Sequence, residues 1–441
     1  MKRNFLASMV VMLVAGVLFT GNVLAQKKIN IEVAVFFGAS GLEWTENIAQ
    51  NYEKLHSNVK IKVWGDARVW EKLQPRFAAG NPPDLVAPGW GFNHWAAIYE
   101  GQAVPLDVAL DSQAYGQDIS WRETFIPGML EPMEYQGHTW MIPPFRFVFM
   151  WWRDAAVWEK YGWKVPETKD ELLALIPKIE GIGMAPLVAE GTYDMYGPWG
   201  MLFPTVIRIG GLQAMVDAIN LVPGAWNSKP FIESARFWQE MALNHFPKGW
   251  RGMDHTQSQI EFLLGKIAMI AGHSILEHEM REVLPPKVKM RAMAIPSWGS
   301  GKPNAMATHM GSEQPSVFFV PSAGEHPEIA TDLLKFITSL GQVQEILDGH
   351  GIPAIKGVTG RIPSDAARSA AKIADDAPAT WDWRNTAGVW YPTLWETVRN
   401  GWDRLTAGEV SPEEFAAMME TKAAEVREND DVPKHVYKVG Y

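Results

Sequence analysis

The sequence of 441 residues contains no cysteine. This absence excludes disulfide bonds, thiolate metal sites, a cysteine nucleophile and a lipid on an N-terminal cysteine. Walker, G-x-S-x-G and calcium-loop motifs are also missing, and His278–Glu282 is not H-E-x-x-H because its last residue is glutamate. We therefore expect no metal, no cofactor and no catalytic residue of these classes.

A basic stripe is lacking as well. The formal net charge is −10, and no cluster of lysine and arginine offers a surface for phosphates. Nucleic acid is therefore not an expected partner. Beyond residues 1–25, no stretch approaches the roughly 20 apolar residues that a membrane helix needs. The sequence predicts a soluble mature chain.

The first 25 residues have the pattern of a secretory signal peptide. Lys2 and Arg3 precede an apolar run from Phe5 to Phe19, and small residues end at Ala25. A retained anchor is the alternative interpretation, although the run is short for a membrane span. The expected mature protein begins at Gln26 and, without a lipid, is free in the periplasm.

Tryptophan is abundant, with 21 residues. Its large amphipathic ring serves both cores and binding surfaces. Sugars present flat C–H faces that lie on aromatic rings, while their hydroxyls take hydrogen bonds. The number of tryptophans therefore favours a carbohydrate ligand.

The N-terminal part alternates strand and helix patterns. Apolar residues alternate along Ile29–Phe37 and again along Val59–Val63, as in strands. Helical spacing follows each strand, from Trp44 to Leu55 and from Trp70 to Phe77, with Pro75 expected to split or kink the second helix. This order predicts a parallel, doubly wound α/β lobe.

The stretch from Phe77 to Asp107 organises this lobe. Gly80 can close a helix with positive φ, and two prolines prevent its continuation. The short apolar run Asp84–Ala87 predicts a buried parallel strand. Ligands of open α/β sheets bind beyond the carboxyl ends of the strands, so the following loop would place three residues beside a cleft: Trp90, Phe92 and His94.

Short motifs in this stretch and beyond resemble the family 1 extracellular solute-binding proteins, the periplasmic sugar receptors of ABC importers that include maltose-binding protein. The pattern F-x-x-G-x-x-P-D-L begins at Phe77, and G-x-x-x-P-L-D begins at Gly101. A third pattern, G-x-x-Y-x-x-P, is matched from Gly137 with tryptophan at the tyrosine position, and F-x-x-G-x-x-A-M begins at Phe262. The resemblance covers nearly the whole mature chain.

The resemblance implies a two-lobe periplasmic binding protein fold of type II, with a sheet flanked by helices in each lobe and a cleft between them. The expected first lobe comprises residues 26–144 and 297–338. The expected second lobe comprises residues 145–296 and 339–441. Chains of this kind cross between lobes several times.

The candidate ligand-binding residues are aromatic and polar side chains at expected strand ends or on loops near the cleft. They are Trp44, Trp90, Phe92, His94, Arg146, Tyr196, Trp199, His273, Ser274, Trp298, Glu313 and Trp390. Tyr193 is a further aromatic candidate in the loop that contains Tyr196. Trp199 and Trp390 are expected at the rim, where alanine substitution would weaken sugar binding and spare the fold.

Several of these assignments leave alternatives open. Trp44 fits the top of a core stripe as well as the rim, and Trp199 fits a core. Arg146 lies within an apolar strand, so it is expected to pair with a carboxylate across the hinge or to contact the ligand.

The function implied by the resemblance is the delivery of a mono- or oligosaccharide to an ABC permease by a monomeric receptor without bond-making chemistry. A polyamine or a glycerophosphodiester is the alternative ligand within the binding class. A secreted glycoside hydrolase is the rival from another class, since many tryptophans with acidic residues also describe one.

Overall fold

The structure, a computed structural model, describes residues 27–37, 41–89, 91–193, 195–298, 309–310, 317–348, 351–376, 381, 383 and 386–438. The predictions for residues 1–25, Trp90 and Glu313 lie outside these ranges.

The strands of the described residues are β1 (Ile29–Phe36), β2 (Val59–Asp66), β3 (Leu85–Ala87), β4 (Glu134–Tyr135), β5 (His138–Thr139), β6 (Phe145–Asp154), β7 (Met269–His273), β8 (Met290–Met293), β9 (His309–Met310) and β10 (Ile352–Pro353). The helices are α1 (Glu43–Leu55), α2 (Val69–Ala78), α3 (His94–Tyr99), α4 (Asp107–Leu110), α5 (Trp121–Thr124), α6 (Ala155–Tyr161), α7 (Lys169–Glu180), α8 (Phe203–Gly210), α9 (Leu212–Ile219), α10 (Lys229–Asn244), α11 (His255–Leu263), α12 (Leu276–Glu279), α13 (Pro327–Ile337), α14 (Val343–Asp348), α15 (Asp365–Asp375), α16 (Ala387–Trp390), α17 (Pro392–Thr406) and α18 (Pro412–Glu428).

The first sheet is parallel, with β1 between β2 and β3. Ile29 lies opposite Val59, and Val33 lies opposite Leu85. The helices α1, α2 and α13 pack against these strands, so the middle of β1 is buried. The predicted β-α-β-α order of this lobe is confirmed.

The end of α2 follows the sequence prediction, whereas its interior differs from it. Gly80 adopts a φ of +70° just beyond the helix, as expected. Pro75 lies inside α2, which continues to Ala78 without a split. Pro75 is exposed, so the carbonyl that loses its backbone partner can be hydrated.

The second sheet is built around the long strand β6. Antiparallel β7 and β8 pair with its C-terminal half, Phe149–Asp154. The helices α8, α10, α17 and α18 pack against one another in the same lobe. Most of the large side chains that are fully buried in the protein are tryptophans, including Trp151, Trp152 and Trp238. Much of the tryptophan content therefore fills the core.

The two sheets belong to two lobes, which meet where β9 and β10 pair with the first residues of β6. The first residues of β6 pair with β10 at Phe145 and Arg146, and the next two pair with β9. The helix α14 packs against α1 of the first lobe, where the side-chain amides of Asn47 and Asn51 donate to Glu345 and Gln342. The helix α14 therefore lies against the first lobe, and the chain pairs with the start of β6 at β10.

The C-terminal segment, residues 429–438, touches both lobes. His435 stacks on Trp390 with a centroid distance of 4.4 Å, and its Nε2 lies 2.6 Å from the hydroxyl of Tyr99 in the first lobe. Asn220, directly after α9 in the second lobe, binds the backbone of Tyr437. Its Oδ1 accepts from the Tyr437 N–H at 2.6 Å, and its Nδ2 donates to the Tyr437 carbonyl at 3.3 Å. The segment therefore ties the lobes together beside Trp390.

Two elements differ from the sequence predictions. The apolar run Leu187–Ala189, which fits a strand in the sequence, is buried but forms no strand. The run Ala292–Pro296, which the sequence predicts as a strand, contributes only its first two residues to β8, which begins at Met290 and ends at Met293. No single helix of the described residues is long and apolar enough to cross a membrane, and the one helix pair that passes on length and composition is bent by 117°.

Candidate functional site

Two chain segments of the second lobe bring polar side chains to the same edge. The buried segment 185–190 runs parallel to the chain entering β7, through the bridge between Ala185 and Ile267. Glu190 ends the first segment and His273 ends β7, so both lie where parallel segments finish. Such an edge is where ligands of α/β proteins bind.

Aromatic rings gather around Tyr196 at this edge. Its ring lies 6.1 Å from that of His255 and nearly parallel to it, and 5.5 Å from that of Phe149 on β6. Tyr193 contacts both Tyr196 and His255, and it is 41% exposed. These rings provide apolar faces, and that of Tyr193 reaches solvent.

Hydrogen-bonding groups surround the same rings. The Tyr196 hydroxyl lies 3.4 Å from His273 Nε2, which lies 3.7 Å from Glu279 Oε1. The Gln259 side-chain amide donates to Glu279 Oε2 at 3.1 Å. We call the residues Glu190, Tyr193, Tyr196, His255, His273 and Glu279 the Tyr196 cluster.

Glycines let the loop of the Tyr196 cluster pack closely on its neighbours. A Cβ on Gly191 would lie 2.3 Å from the backbone of Arg251. A Cβ on Gly200, within the π-helical turn Pro198–Leu202, would lie 2.4 Å from the ring of Phe149. The loop can therefore approach β6 and the segment before α11 only with glycine at these positions.

Glu190 is the most perturbed acid of the Tyr196 cluster. Burial raises its pKa from the ordinary 4.5 to about 8, against a backbone hydrogen bond that lowers it, and the negative charge of Glu279 raises it further. Only 2% of the residue is exposed, and its Oε2 has no hydrogen-bond partner among the described residues. At neutral pH this carboxyl is therefore mostly protonated.

The first lobe presents a smaller aromatic surface at the strand ends. The ring of Phe36, at the end of β1, stacks on that of Trp70 at 5.9 Å, and Phe37 is 37% exposed. A Cβ on Gly91 would lie 2.3 Å from the Trp70 ring, so the loop after β3 packs directly on it. At the end of β2, Asp66 pairs with Lys72, and the hydrogen bond from Lys72 lowers the Asp66 pKa.

Three predicted site residues lie within the first lobe instead of on an open surface. Trp44 packs edge-on against Phe145 and Phe318. Phe92 packs against Phe77 and against Phe319, which the sequence places far along the chain.

His94 is also buried in the first lobe, and burial lowers its pKa to about 4. Neither ring nitrogen has a partner among the described residues. Phe92 and His94 are buried because the short loop after β3 turns inward into α3.

Arg146 pairs with a carboxylate, which is one of its two predicted roles. Its Nη2 donates to Asp375 of α15, and Asp375 also accepts from the Thr359 hydroxyl at 2.6 Å. The arginine is 1% exposed, and its Nε and Nη1 have no partner among the described residues. The ion pair fixes α15 against the start of β6.

The remaining predicted residues are divided between the Tyr196 cluster and other places. Tyr196 and His273 belong to the cluster, buried Ser274 follows His273 directly, and Trp199 lies 6.2 Å from Tyr196. Trp298 contacts Phe237 on α10, at 5.0 Å. Trp390 stands between the lobes, against Trp95 and His435.

Several cavities of the described residues lie away from the Tyr196 cluster, including one of about 650 Å³ lined by Arg291, Asp365 and Asp375. A second of about 680 Å³ on the flank of the second lobe is lined by Trp163, Val165 and Lys178. Another of about 240 Å³ lies along the C-terminal segment and is lined by Tyr135, Trp390 and His435. No group of acids and histidines in the described residues is arranged to hold a metal ion.

The sequence prediction missed several members of the site. Glu190, His255 and Glu279 were not among the predicted ligand residues, and neither was Trp395, which stacks on Trp199 at 5.5 Å. An acid directly after the buried run Leu187–Ala189 was the available signal for Glu190. His255 and Glu279 carry no such local signal, because tertiary packing brings them to the loop.

The sequence profile of the bacterial extracellular solute-binding proteins matches residues 38–344 of this chain. The chain belongs to this family. The match covers β2 and β3 of the first sheet and the Tyr196 cluster of the solute-binding protein, and it confirms the predicted family.

Individual relatives agree with the two-lobe fold. The diacetylchitobiose-binding protein NgcE of Streptomyces coelicolor is 23% identical over 92% of this chain and 86% of its own length. A solved structure from work on xylan utilization by Caldanaerobius polysaccharolyticus superposes with a TM-score of 0.72 at 21% identity, over 89% of this chain and all of its own. The apo form of RafE from Streptococcus pneumoniae also gives 0.72, at 18% identity over 90% of this chain and 98% of its own.

Proposed function

We propose that this solute-binding protein captures a carbohydrate, a mono- or oligosaccharide, in the cleft between its lobes and delivers it to the permease of an ABC importer. The observation that carries the proposal is the Tyr196 cluster, in which aromatic faces and directional hydrogen-bonding groups share one edge of the second lobe. Carbohydrate recognition needs both kinds of group.

The relatives support a carbohydrate ligand. NgcE is named for diacetylchitobiose, one solved neighbour is RafE in complex with raffinose, and another is a chitin oligosaccharide binding protein. The ligand would contact Tyr193 and Tyr196 on the second lobe and the surface around Phe37 on the first. Because it gains contacts to both lobes only when they close, it stabilises the closed state, which then docks on the permease.

We further propose lobes of residues 26–144 with 297–348, and of 145–296 with 349–441. The packing of α14 on α1 supports extending the first lobe beyond the residue 338 expected from the sequence. The receptor is proposed to act as a monomer, without nucleic acid, after export and cleavage before Gln26. Intact mass of the exported protein tests the cleavage, and retention of Met1 would contradict it.

A glycoside hydrolase remains the second candidate, because a buried protonated Glu190 beside Glu279 is also how an acid and a carboxylate are paired for glycoside cleavage. The family consists of binding proteins, and we propose that no bond is broken. Incubation with oligosaccharides should release no reducing sugar. Release that is lost in the Glu190→Gln variant would establish the hydrolase instead.

A thermal-shift screen tests the ligand class. Neutral sugars, amino sugars, polyamines and glycerophosphodiesters would be compared, since a ligand at 100 times its dissociation constant stabilises the folded protein by about 2.7 kcal/mol. We expect a carbohydrate to raise the melting temperature and to change the tryptophan fluorescence. Stabilisation by polyamines or glycerophosphodiesters alone would contradict the carbohydrate assignment.

A further inference from the structure

Glu190 is an acid in a place where the protein itself leaves one oxygen unsatisfied. It ends the buried segment 185–190, and its Oε2 has no hydrogen-bond partner among the described residues. Buried polar atoms are normally satisfied, and exceptions in a site call for an explanation. A donor supplied by the ligand would satisfy Oε2.

A second carboxyl, that of Glu279, acts on Glu190 through its charge. Among the described residues, the Gln259 amide donates to the Glu279 carboxylate and His273 Nε2 lies 3.7 Å from it. No lysine or arginine of the described residues pairs with either acid. Arg251, whose backbone lies against Gly191, places its guanidinium over the Trp250 ring and donates to the backbone carbonyl of Asp403.

Aromatic faces complete the surroundings. The rings of Tyr193 and His255 lie 4.7 Å apart, and that of Tyr196 is nearly parallel to His255. Tyrosine faces attract cations, most strongly where water is excluded. Two acids that no lysine or arginine of the described residues neutralises, with only the imidazole of His273 near Glu279, suit a positively charged group better than a neutral hydroxyl.

We propose that Glu190 and Glu279 form a subsite for a primary ammonium group of the ligand, held against the rings of Tyr193 and Tyr196. The ammonium donates to Glu190 Oε2 and is shared with Glu279. An amino sugar is the source that the proposed carbohydrate function implies, and this identification rests on that function. A polyamine presents the same ammonium chemistry and is separated from it by the experiment.

The first experiment compares matched disaccharides by isothermal titration calorimetry. Chitobiose carries free amines, diacetylchitobiose carries acetamides and cellobiose carries hydroxyls at the same positions, and spermidine serves as the polyamine. We expect chitobiose to bind at least tenfold more tightly than either of the other two sugars. In Glu190→Gln this preference should fall below threefold.

Two further variants make the comparison specific. Glu159→Gln on α6 removes an exposed acid of the same lobe that no contact links to the cluster, and it should leave the preference unchanged. Glu279→Gln is the second test of the subsite should Glu190→Gln fail to fold, and it should also reduce the preference. Circular dichroism of each variant confirms folding before titration.

A second readout reports the proton of Glu190. The charged group that acts on it is Glu279, whose own neighbour is His273, and the raised pKa of Glu190 keeps it mostly protonated at pH 7. A bound ammonium favours the carboxylate, so binding should release a proton. Titrations of chitobiose at pH 7 in phosphate and in Tris, which differ in ionisation enthalpy, should show this release in the wild type and not in Glu190→Gln.

The outcomes separate the two proposals. Equal or tighter binding of cellobiose or diacetylchitobiose overturns the ammonium subsite and leaves carbohydrate binding intact. Binding of spermidine with no response to any sugar, and with the same loss in Glu190→Gln, supports the subsite and overturns the carbohydrate function. If no amine-bearing probe binds, or the preference survives in Glu190→Gln and Glu279→Gln, the subsite is overturned.

Discussion

At the scale of single residues, the buried carboxyl of Glu190 makes folding depend on pH. Its pKa is about 8 in the folded protein and near 4.5 in an unfolded chain. Between these values the folded state holds a proton that the unfolded state has lost. The free energy of unfolding should therefore fall as pH rises from about 4.5 to 8, by at most about 1.4 kcal/mol per pH unit from this one group.

This pH dependence is measured by urea unfolding of the ligand-free protein at several pH values. Glu190→Gln should flatten the fall in stability, because its amide does not titrate. Glu159→Gln supplies the matched comparison with an exposed acid, and it should keep the wild-type slope. An unchanged slope in Glu190→Gln would show that other groups cause the pH dependence.

Trp199 and Tyr193 should respond to substitution in opposite ways. Trp199 is 3% exposed and stacks on Trp395, so Trp199→Ala leaves a cavity and should lower the stability by about 3–5 kcal/mol. Tyr193 is 41% exposed, so Tyr193→Ala should spare the fold and weaken sugar binding by roughly 2- to 10-fold. Thermal unfolding and calorimetry on both variants give the comparison.

If Trp199→Ala instead spares the fold and weakens sugar binding, Trp199 lies at the rim of the cleft, as the sequence predicts.

Sequence alone favours Tyr196 and His273 as site residues because both follow strand-like or loop patterns near a strand end. It does not distinguish a rim tryptophan from a core tryptophan, because both give the same local pattern. For Trp199 and Trp390 the decisive partners, Trp395 and His435, lie far along the chain.

At the scale of secondary structure elements, the π-helical turn Pro198–Leu202 depends on Gly200. An added Cβ would lie 2.4 Å from the Phe149 ring and 2.8 Å from the Ala271 side chain, on two neighbouring strands. Gly200→Ala should therefore destabilise the protein by about 1–3 kcal/mol through overpacking. Gly252→Ala is the control, since no atom lies within 4 Å of its added Cβ.

Chemical unfolding of the two glycine variants checks this prediction, and similar midpoints for both would contradict it. The π-helical turn could not be predicted from the sequence, because its tight approach to β6 is a tertiary contact. The ends of other helices are predicted well by the local sequence: Gly80 closes α2, and Ser411 caps α18 with Glu414 in a capping box.

At the scale of the whole molecule, ligand binding should make the protein more compact. Contacts to both lobes form only on closure, so the radius of gyration should fall when a stabilising carbohydrate is added at saturation. Small-angle scattering with and without the sugar measures this change. An unchanged radius at saturation would count against hinge closure.

The two-lobe arrangement could be predicted because several short motifs occur in a family order from Phe77 to Phe262. The exact passage between lobes could not, because α14 is assigned to the first lobe only by its side-chain bonds to α1. The same limit applies to the C-terminal segment. Its residues lack a helix or strand pattern, and their place depends on Tyr99 and Asn220.

The C-terminal segment also bears on the speed of ligand exchange. Because His435 contacts Tyr99 of one lobe while Asn220 of the other holds Tyr437, wide opening must break bonds that have nothing to do with the ligand. Each 1.4 kcal/mol of such bonding makes the open form about tenfold rarer. Ligand would then enter and leave slowly, and His435→Ala should raise both rate constants in stopped-flow fluorescence, so that the receptor exchanges cargo faster with little change in its equilibrium preference among sugars.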